Sequence, residues 1–403
     1  NVVWNGLLLY LLVGTGIVFT IRTRFIQVRK FGAGWKHLFG HFSLNGEKAG
    51  KDGMSPFQAL TTAIAAQVGT GNIAGAATAL YSGGPGAIFW MWLSAFFGMS
   101  TIYGEAVLAQ KYKTTDDKGH VTGGPIYYIR ARFQGGFGKF LAGFFSVAII
   151  FALGFTGNMV QANSISVAFK TAFGAPQIVV GIVCAIIAAF IFLGGVGRIA
   201  SVTEKVVPIM ALFYMGGAVV VLWVHRANLP QAFAQICSMA FDTRAGTGGV
   251  LGYGMTQAVR AGVSRGVFSN EAGLGSSVMV HAAADAREPC EQGMWAVFEV
   301  FFDTIVMCSV TAFVILTSGV YDVSRYALAS GTPLLSQLTT GAQLTAEAFS
   351  TVFGRFGRGF VAVSLALFAF STLLGWSYYG QRAAAYLMGE RVIPVYKAAF
   401  LLA

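Results

Sequence analysis

Charge is scarce in this 403-residue sequence: Asp, Glu, Lys and Arg together occupy 11% of positions, while 55% are hydrophobic. A soluble globular chain carries roughly 25% charged residues, so a soluble fold is excluded at the outset. Cysteine is nearly absent as well. Cys184, Cys237, Cys290 and Cys308 stand far apart, with no CxxC or Cys/His pattern, which excludes a disulfide framework and a structural zinc site. No HExxH stretch, clustered His or Ser/His/Asp set offers itself for catalysis, so no enzyme is expected. Regular alternation of apolar and polar residues is missing, which excludes a transmembrane β-barrel. No basic n-region precedes the first apolar run, "VVWNGLLLYLLVGTGIVF", which therefore reads as a retained span and not a cleaved signal.

What fills the chain is a series of apolar runs of about 20 residues, the length that crosses a hydrocarbon core as a helix. They lie at about 2–20, 57–80, 86–109, 140–168, 177–197, 205–225, 264–283, 294–320, 354–381 and from about 392 to the end. The fold class is thus an all-α polytopic membrane protein. The net charge of +11 is not a nucleic-acid signal, because the basic residues fall in the gaps between runs, as in "IRTRFIQVRKFGAGWKH" and "YYIRARF". Lys and Arg concentrate on the cytoplasmic side of membranes, and about two-thirds of the 27 fall there if the N-terminus is outside. Residues 24–55 mix Phe, Trp and Leu with Lys and Arg, the pattern of a helix lying among lipid headgroups. Residues 226–263 and 321–353 are expected to form outer segments with short helices capping a mouth.

Two spans contain residues that ordinary membrane helices avoid. "GTGN", residues 69–72, interrupts the second span, and "SNEAGLG", residues 269–275, interrupts the seventh. Each span begins a group of five, and the charge pattern starts one group inside and the other outside. Glycine-interrupted segments at corresponding positions in two inverted halves are the best sequence pointer to a secondary-transporter site. Unpaired backbone survives in hydrocarbon only where protein or a water-filled cavity surrounds it. The N–H groups freed at a half-helix N-terminus suit a carboxylate, and the carbonyls freed at a half-helix C-terminus suit a cation. A glycine-rich helix-packing face is the bland alternative. A channel is a rival reading, since interrupted helices also build filters.

The stretches "AAQVGTGNIAGAATALYSGGPGAIFWMWLSAFFGMSTIYGEAVLAQKYK", "GGPIYYI", "GVFSNEAGLGSSVMVHAAA" and "LLGWSYYG" resemble the alanine or glycine:cation symporter family. That resemblance implies the LeuT-type fold, with two inverted five-helix repeats at 57–225 and 226–403, preceded at 1–56 by one extra span and the amphipathic segment. It makes the C-terminal end, inside the tenth span at Ala403, a truncated one. It implies uptake of small neutral amino acids, chiefly alanine and glycine, driven by Na⁺ or, in some members, H⁺. It further implies a bacterial plasma (inner) membrane location and partners limited to the amino acid and lipid, with no nucleic acid; a monomer is compatible with it. Another cation-coupled amino-acid symporter of the same fold is the nearest alternative.

Residue by residue, the resemblance places the backbone N–H groups of Thr70 and Gly71 on the substrate carboxylate, with Phe268 at a gate and Phe155 over the pocket. Asn72 and Ser269 become oxygen ligands of one Na⁺, with Gln67 nearby. A second Na⁺ falls to the hydroxyls of Ser371 and Thr372 with the carbonyls of Ala65 and Val68. Oxygen-only coordination suits such a hard cation; the competing reading has both hydroxyls bonded within their own helix. Gln67 and Trp376 are further pocket linings, Trp376 alternatively a core residue. Asn158 and Gln161 either meet the substrate or join helices. Carboxylates inside a membrane are costly and default to functional hypotheses. Glu271 is read as a prop for the second break, Glu105 and Glu299 as ion-pair members, and His281 as a packing residue. Asp303 is left open, with proton coupling as one role.

Overall fold

The computed structural model describes residues 7, 9–32, 34–35, 53–116, 119, 121–241, 251–322, 326 and 338–403. Helix α1 (Leu9–Arg22) leads through two left-handed residues, Arg24 and Phe25, into the single turn α2 (Ile26–Arg29). The second span is split into α3 (Pro56–Gln67) and α4 (Ala76–Gly83), joined by a wide turn with i→i+5 spacing over Gly71–Gly75. After α5 (Gly86–Lys111) come a hairpin, β1 (Thr114–Thr115) and β2 (Val121–Thr122), with Thr114 opposite Thr122, and then α6 (Pro125–Arg132). Helix α7 (Gly135–Ile149) continues through wide turns at Ile150–Gly157 into α8 (Asn158–Phe173). There follow α9 (Gln177–Leu193), α10 (Gly195–Val224), α11 (Leu229–Ala240), α12 (Leu251–Asn270) and α13 (Val278–Ala282). Helix α14 (Pro289–Val300) passes through a third wide segment, Phe301–Cys308, into α15 (Ser309–Thr317). The described chain closes with α16 (Gly341–Phe353), α17 (Arg355–Met388) and α18 (Ile393–Leu402).

Among the described residues, the stretches 86–111, 135–173, 195–224, 289–317 and 355–388 are long and apolar enough to cross a bilayer. Phe140, Phe144, Ile178, Ile186, Phe190 and Leu212 stand exposed on α7 to α10, where only lipid can cover so much apolar surface. The protein is a polytopic helical membrane protein.

Its centre is the interrupted second span. Helix α3 packs on α10 and α17, α4 packs on α5 and α12, and α12 also touches the wide turn at 71–75. The two interrupted spans therefore meet at their breaks. Helix α3 starts with a full capping box: Ser55 Oγ accepts the Gln58 N–H at 3.1 Å and Gln58 Oε1 accepts the Ser55 N–H at 3.2 Å. Pro56 sits at its first position, where a missing N–H costs nothing. The helix ends where Val68 takes ψ near 84°. In the second break three residues lie at positive φ, Glu271 at 53°, Gly273 at 88° and Gly275 at 72°. Two of them are glycines, for which that region is unstrained.

The structure corrects several expected boundaries. The seventh span begins at Leu251 and not near 264. Arg260 and Arg265 lower the apolar signal there, yet Ala258, Ala261 and Val263 are buried, so packing sustains the helix where hydropathy fades. The predicted outer segment 226–263 is therefore largely helical: it holds α11 and the start of α12, while 242–250 lies outside the described residues. In the segment 321–353, α16 is a short helix as expected, and 323–325 and 327–337 lie outside. Of the predicted headgroup helix at 24–55, α2 is helical, and Phe31 and Trp35 pack on Phe301 and Phe298 at ring distances of 4.9 and 5.6 Å; 36–52 lies outside.

Close packing of α17 on α3 gives a direct test. A Cβ at Gly375 would lie 3.0 Å from Ala66 Cα and 3.1 Å from its backbone nitrogen. Gly375→Val is expected to destabilise by about 1–3 kcal/mol, read as a lower thermal midpoint of the purified protein. Gly181→Val in α9, with nothing within 4 Å of its added Cβ, should leave the midpoint unchanged.

Candidate functional site

Gly71 lies against Ser269: a Cβ on Gly71 would come within 3.1 Å of Ser269 Oγ and 3.3 Å of Ser269 Cα. Any larger residue would force the two segments apart by a few tenths of an ångström. The polar groups of both breaks then knit around Asp303, which sits in the wide segment after α14. Asn72 Nδ2 donates to Asp303 Oδ1 at 2.6 Å and to its backbone oxygen at 3.0 Å, while Asn72 Oδ1 accepts the Gly69 N–H at 2.9 Å. Ser269 Oγ donates to Asp303 Oδ1 at 3.1 Å, and Thr304 Oγ1 donates to Oδ2 at 2.7 Å. Asn270 Nδ2 donates in turn to Thr304 Oγ1 at 3.0 Å. Asn72, Ser269, Asn270, Asp303 and Thr304 are all buried. Wide helical turns recur at functional sites because they displace one residue out of the ladder, and here one carries Asp303 and another carries Asn72.

Three of the four residues expected at a second ion site lie together. Ser371 Oγ and Thr372 Oγ1, both buried on α17, reach the Ala65 carbonyl at 3.3 and 3.1 Å. Both also lie within hydrogen-bond distance of Phe368 O in their own helix, at 2.8 and 3.1 Å, the bonding of the competing reading. Val68 is buried as well, but among the described residues neither hydroxyl bonds its carbonyl.

Of the residues expected around the substrate, Thr70 donates its N–H to Gln161 Oε1 at 3.3 Å. Asn158 joins helices, donating to Phe400 O of α18 at 2.7 Å. Trp376 is buried and donates its indole N–H to Glu271 Oε1 at 2.6 Å; the other carboxylate oxygen takes the Ser276 hydroxyl. Glu271, at positive φ, thus accepts one N–H and one O–H from side chains. Phe268 is 37% exposed although its neighbours Val267 and Ser269 are buried. Phe155 is half-buried in the wide segment at 150–157, 6.1 Å from the Phe151 ring.

A second buried chain runs behind the first break. Gln67 Nε2 donates to Glu299 Oε1, Glu299 Oε2 pairs with His281 Nε2, and His281 Nδ1 faces Gln292 Nε2 at 2.6 Å. Glu299, expected in an ion pair, is hydrogen-bonded instead to Gln67 and to His281, which the sequence marks as mere packing. Glu105 instead accepts the Gly273 N–H at 3.2 Å. Sequence reasoning also missed Thr304 and Asn270. The one available signal was the four-residue spacing of Glu299 and Asp303, which puts two carboxylates on one helix face.

Comparison with known proteins fits this geometry. The structure resembles the manganese transporter of Eremococcus coleocola, with a TM-score of 0.56 at 13% identity, covering 86% of this chain and 69% of that one; the likeness concerns the fold alone. In sequence the chain is 43% identical to the sodium/alanine symporter AgcS of Methanococcus maripaludis over 401 residues, which is 99% of this chain and 84% of that protein. It is 38% identical over 402 residues to a probable sodium/glutamine symporter, GlnT, of Bacillus subtilis, covering 100% of this chain and 79% of that one. The model of the sodium:alanine symporter family matches residues 1–403 without interruption. The chain belongs to the sodium:alanine symporter family.

Proposed function

We propose that the protein is a secondary active symporter in which Na⁺ entering the cell drives uptake of small neutral amino acids, alanine and glycine, by alternating access. The observation that carries this reading is the meeting of two interrupted spans at Gly71 and Ser269, with an oxygen-rich cluster on each side of the first break. One cluster holds Asn72, Ser269 and Asp303; the other holds Ala65, Ser371 and Thr372, with Val68 alongside. Each is a Na⁺ site in this reading. The fold is read as LeuT-type, with repeats at 57–225 and 226–403 and an extra span at 1–56, in a bacterial inner membrane with the N-terminus outside.

The substrate carboxylate goes to the N–H groups of Thr70 and Gly71, displacing Gln161, where the half-helix beginning at the wide turn carries partial positive charge. Gln67, Phe155, Phe268, Ser269 and Trp376 line the remaining space, and that bulk favours a small side chain. A cavity of about 390 Å³ opens beside the wide turn, lined by Ala74, Asn163 of α8, Glu347 of α16 and Arg358 of α17. Trp376 has a second task, since its indole N–H holds Glu271 and hence the shape of the second break.

The decisive experiment reconstitutes the protein in liposomes and follows labelled alanine. An inward Na⁺ gradient should concentrate alanine above its external level, and accumulation should stop when Na⁺ is equal on both sides; equilibration without accumulation would mean a channel. Thr372→Ala should raise the half-saturating Na⁺ concentration by about tenfold or more, the equivalent of about 1.4 kcal/mol, while an unchanged Na⁺ dependence would remove Thr372 from ion binding. Trp376→Phe keeps an aromatic ring but removes the donor to Glu271 together with part of the buried indole. A hydrogen bond to a carboxylate contributes about 1.5–3 kcal/mol, so the thermal midpoint of this variant should fall measurably.

A further inference from the structure

We propose that Asp303 provides the negative charge of the first Na⁺ site, and that the Asn72 amide couples the ion to the amino acid by turning over when the ion arrives. This inference rests on the Na⁺-symport reading above and deepens it.

Asp303 is fully buried. Its carboxylate receives only neutral donors among the described residues: Asn72 Nδ2, Ser269 Oγ and Thr304 Oγ1. The acidic groups around it have partners of their own. Glu299, one turn earlier, is held by His281 and Gln67, and Glu271 beyond the break is held by Trp376 and Ser276. A buried carboxylate without a counter-charge is strongly disfavoured. Its surroundings are suited to hold a cation that brings one. Ser269 and Thr304 each keep lone pairs after donating, and Asn72 Oδ1 lies on the same short side chain. Two carboxylate oxygens, two hydroxyls and an amide oxygen make an all-oxygen set of the kind that hard cations take.

The orientation of Asn72 follows from its neighbours. A carboxylate and a backbone carbonyl lie on one side and can only accept, while the Gly69 N–H lies on the other and can only donate. The amide is therefore locked with its NH₂ toward Asp303 and its oxygen over Gly69. A cation on Asp303 reverses the preference: it repels the NH₂ and draws the oxygen. The turn uncaps the Gly69 N–H beside those of Thr70 and Gly71, so a third donor faces the substrate carboxylate only once the ion is in place. Because the protein supplies the ionic partner, Na⁺ binds before the amino acid and without it.

The test uses the purified full chain, with thermal midpoints and labelled-alanine binding measured in NaCl and in choline chloride. In the wild type, Na⁺ alone should raise the midpoint and should tighten alanine binding. Asp303→Asn should raise the half-saturating Na⁺ for that stabilisation by about tenfold or more. Should this variant fail to fold, Thr304→Val is read in its place and should weaken the Na⁺ response several-fold. Asn72→Ala should bring the alanine affinities with and without Na⁺ toward equality, because Gly69 is then never capped. A Na⁺ response that survives Asp303→Asn within twofold, or that appears in the wild type only with alanine present, would overturn the proposal and leave Na⁺ symport standing. A wild type that ignores Na⁺ with and without alanine would overturn both.

Discussion

Hydrocarbon offers no partner for a bare peptide group, and the architecture around residues 69–72 and 270–277 follows from that constraint. Each helix stops midway, and each stop leaves N–H and C=O groups that must be satisfied by something other than lipid. Side chains of the breaks and of neighbouring helices satisfy this demand. Asn72 Oδ1 covers the Gly69 N–H, Gln161 covers Thr70, and Glu105 covers Gly273. The partners are side chains, and side chains can let go. An interrupted helix capped by side chains is stable when empty and available when a ligand offers better contacts.

Around this pair the remaining helices act as a mould. Helices α10 and α17 hold α3, and α5 and α12 hold α4. Close approach is secured by glycine where it matters: Gly375 admits Ala66, Gly71 admits Ser269, and Gly157 lies under the Trp376 ring. The buried carboxylates divide the work. Glu271 fixes the second break through Trp376, Glu299 ties α3 to α13 through Gln67 and His281, and Asp303 faces the junction of both spans.

Much of this was legible in the sequence because an asparagine, a glutamate and paired glycines inside apolar runs are so unfavourable that they announce a purpose. The breaks, the membrane architecture and the family could be read from such local offences against hydropathy. Boundaries were less legible where charge and packing disagree: Arg260 and Arg265 hide a helix that burial of Ala261 and Val263 sustains. Partnerships across helices were not legible at all. Asn72 meets Asp303 from 231 positions away, and His281 of α13 meets Glu299 of the following helix α14; no periodicity within one helix encodes either. Thr304 and Asn270 look like ordinary polar residues until Asp303 is placed beside them.

The most direct measurement of the central claim is an experimental structure of the protein with Na⁺ and alanine bound. The account predicts an ion enclosed by Asp303, Asn72 and Ser269, with the alanine carboxylate on the backbone of residues 69–71 and the Asn72 amide reversed. Continuous helix through both breaks, or alanine bound away from the junction of Gly71 and Ser269, would contradict it.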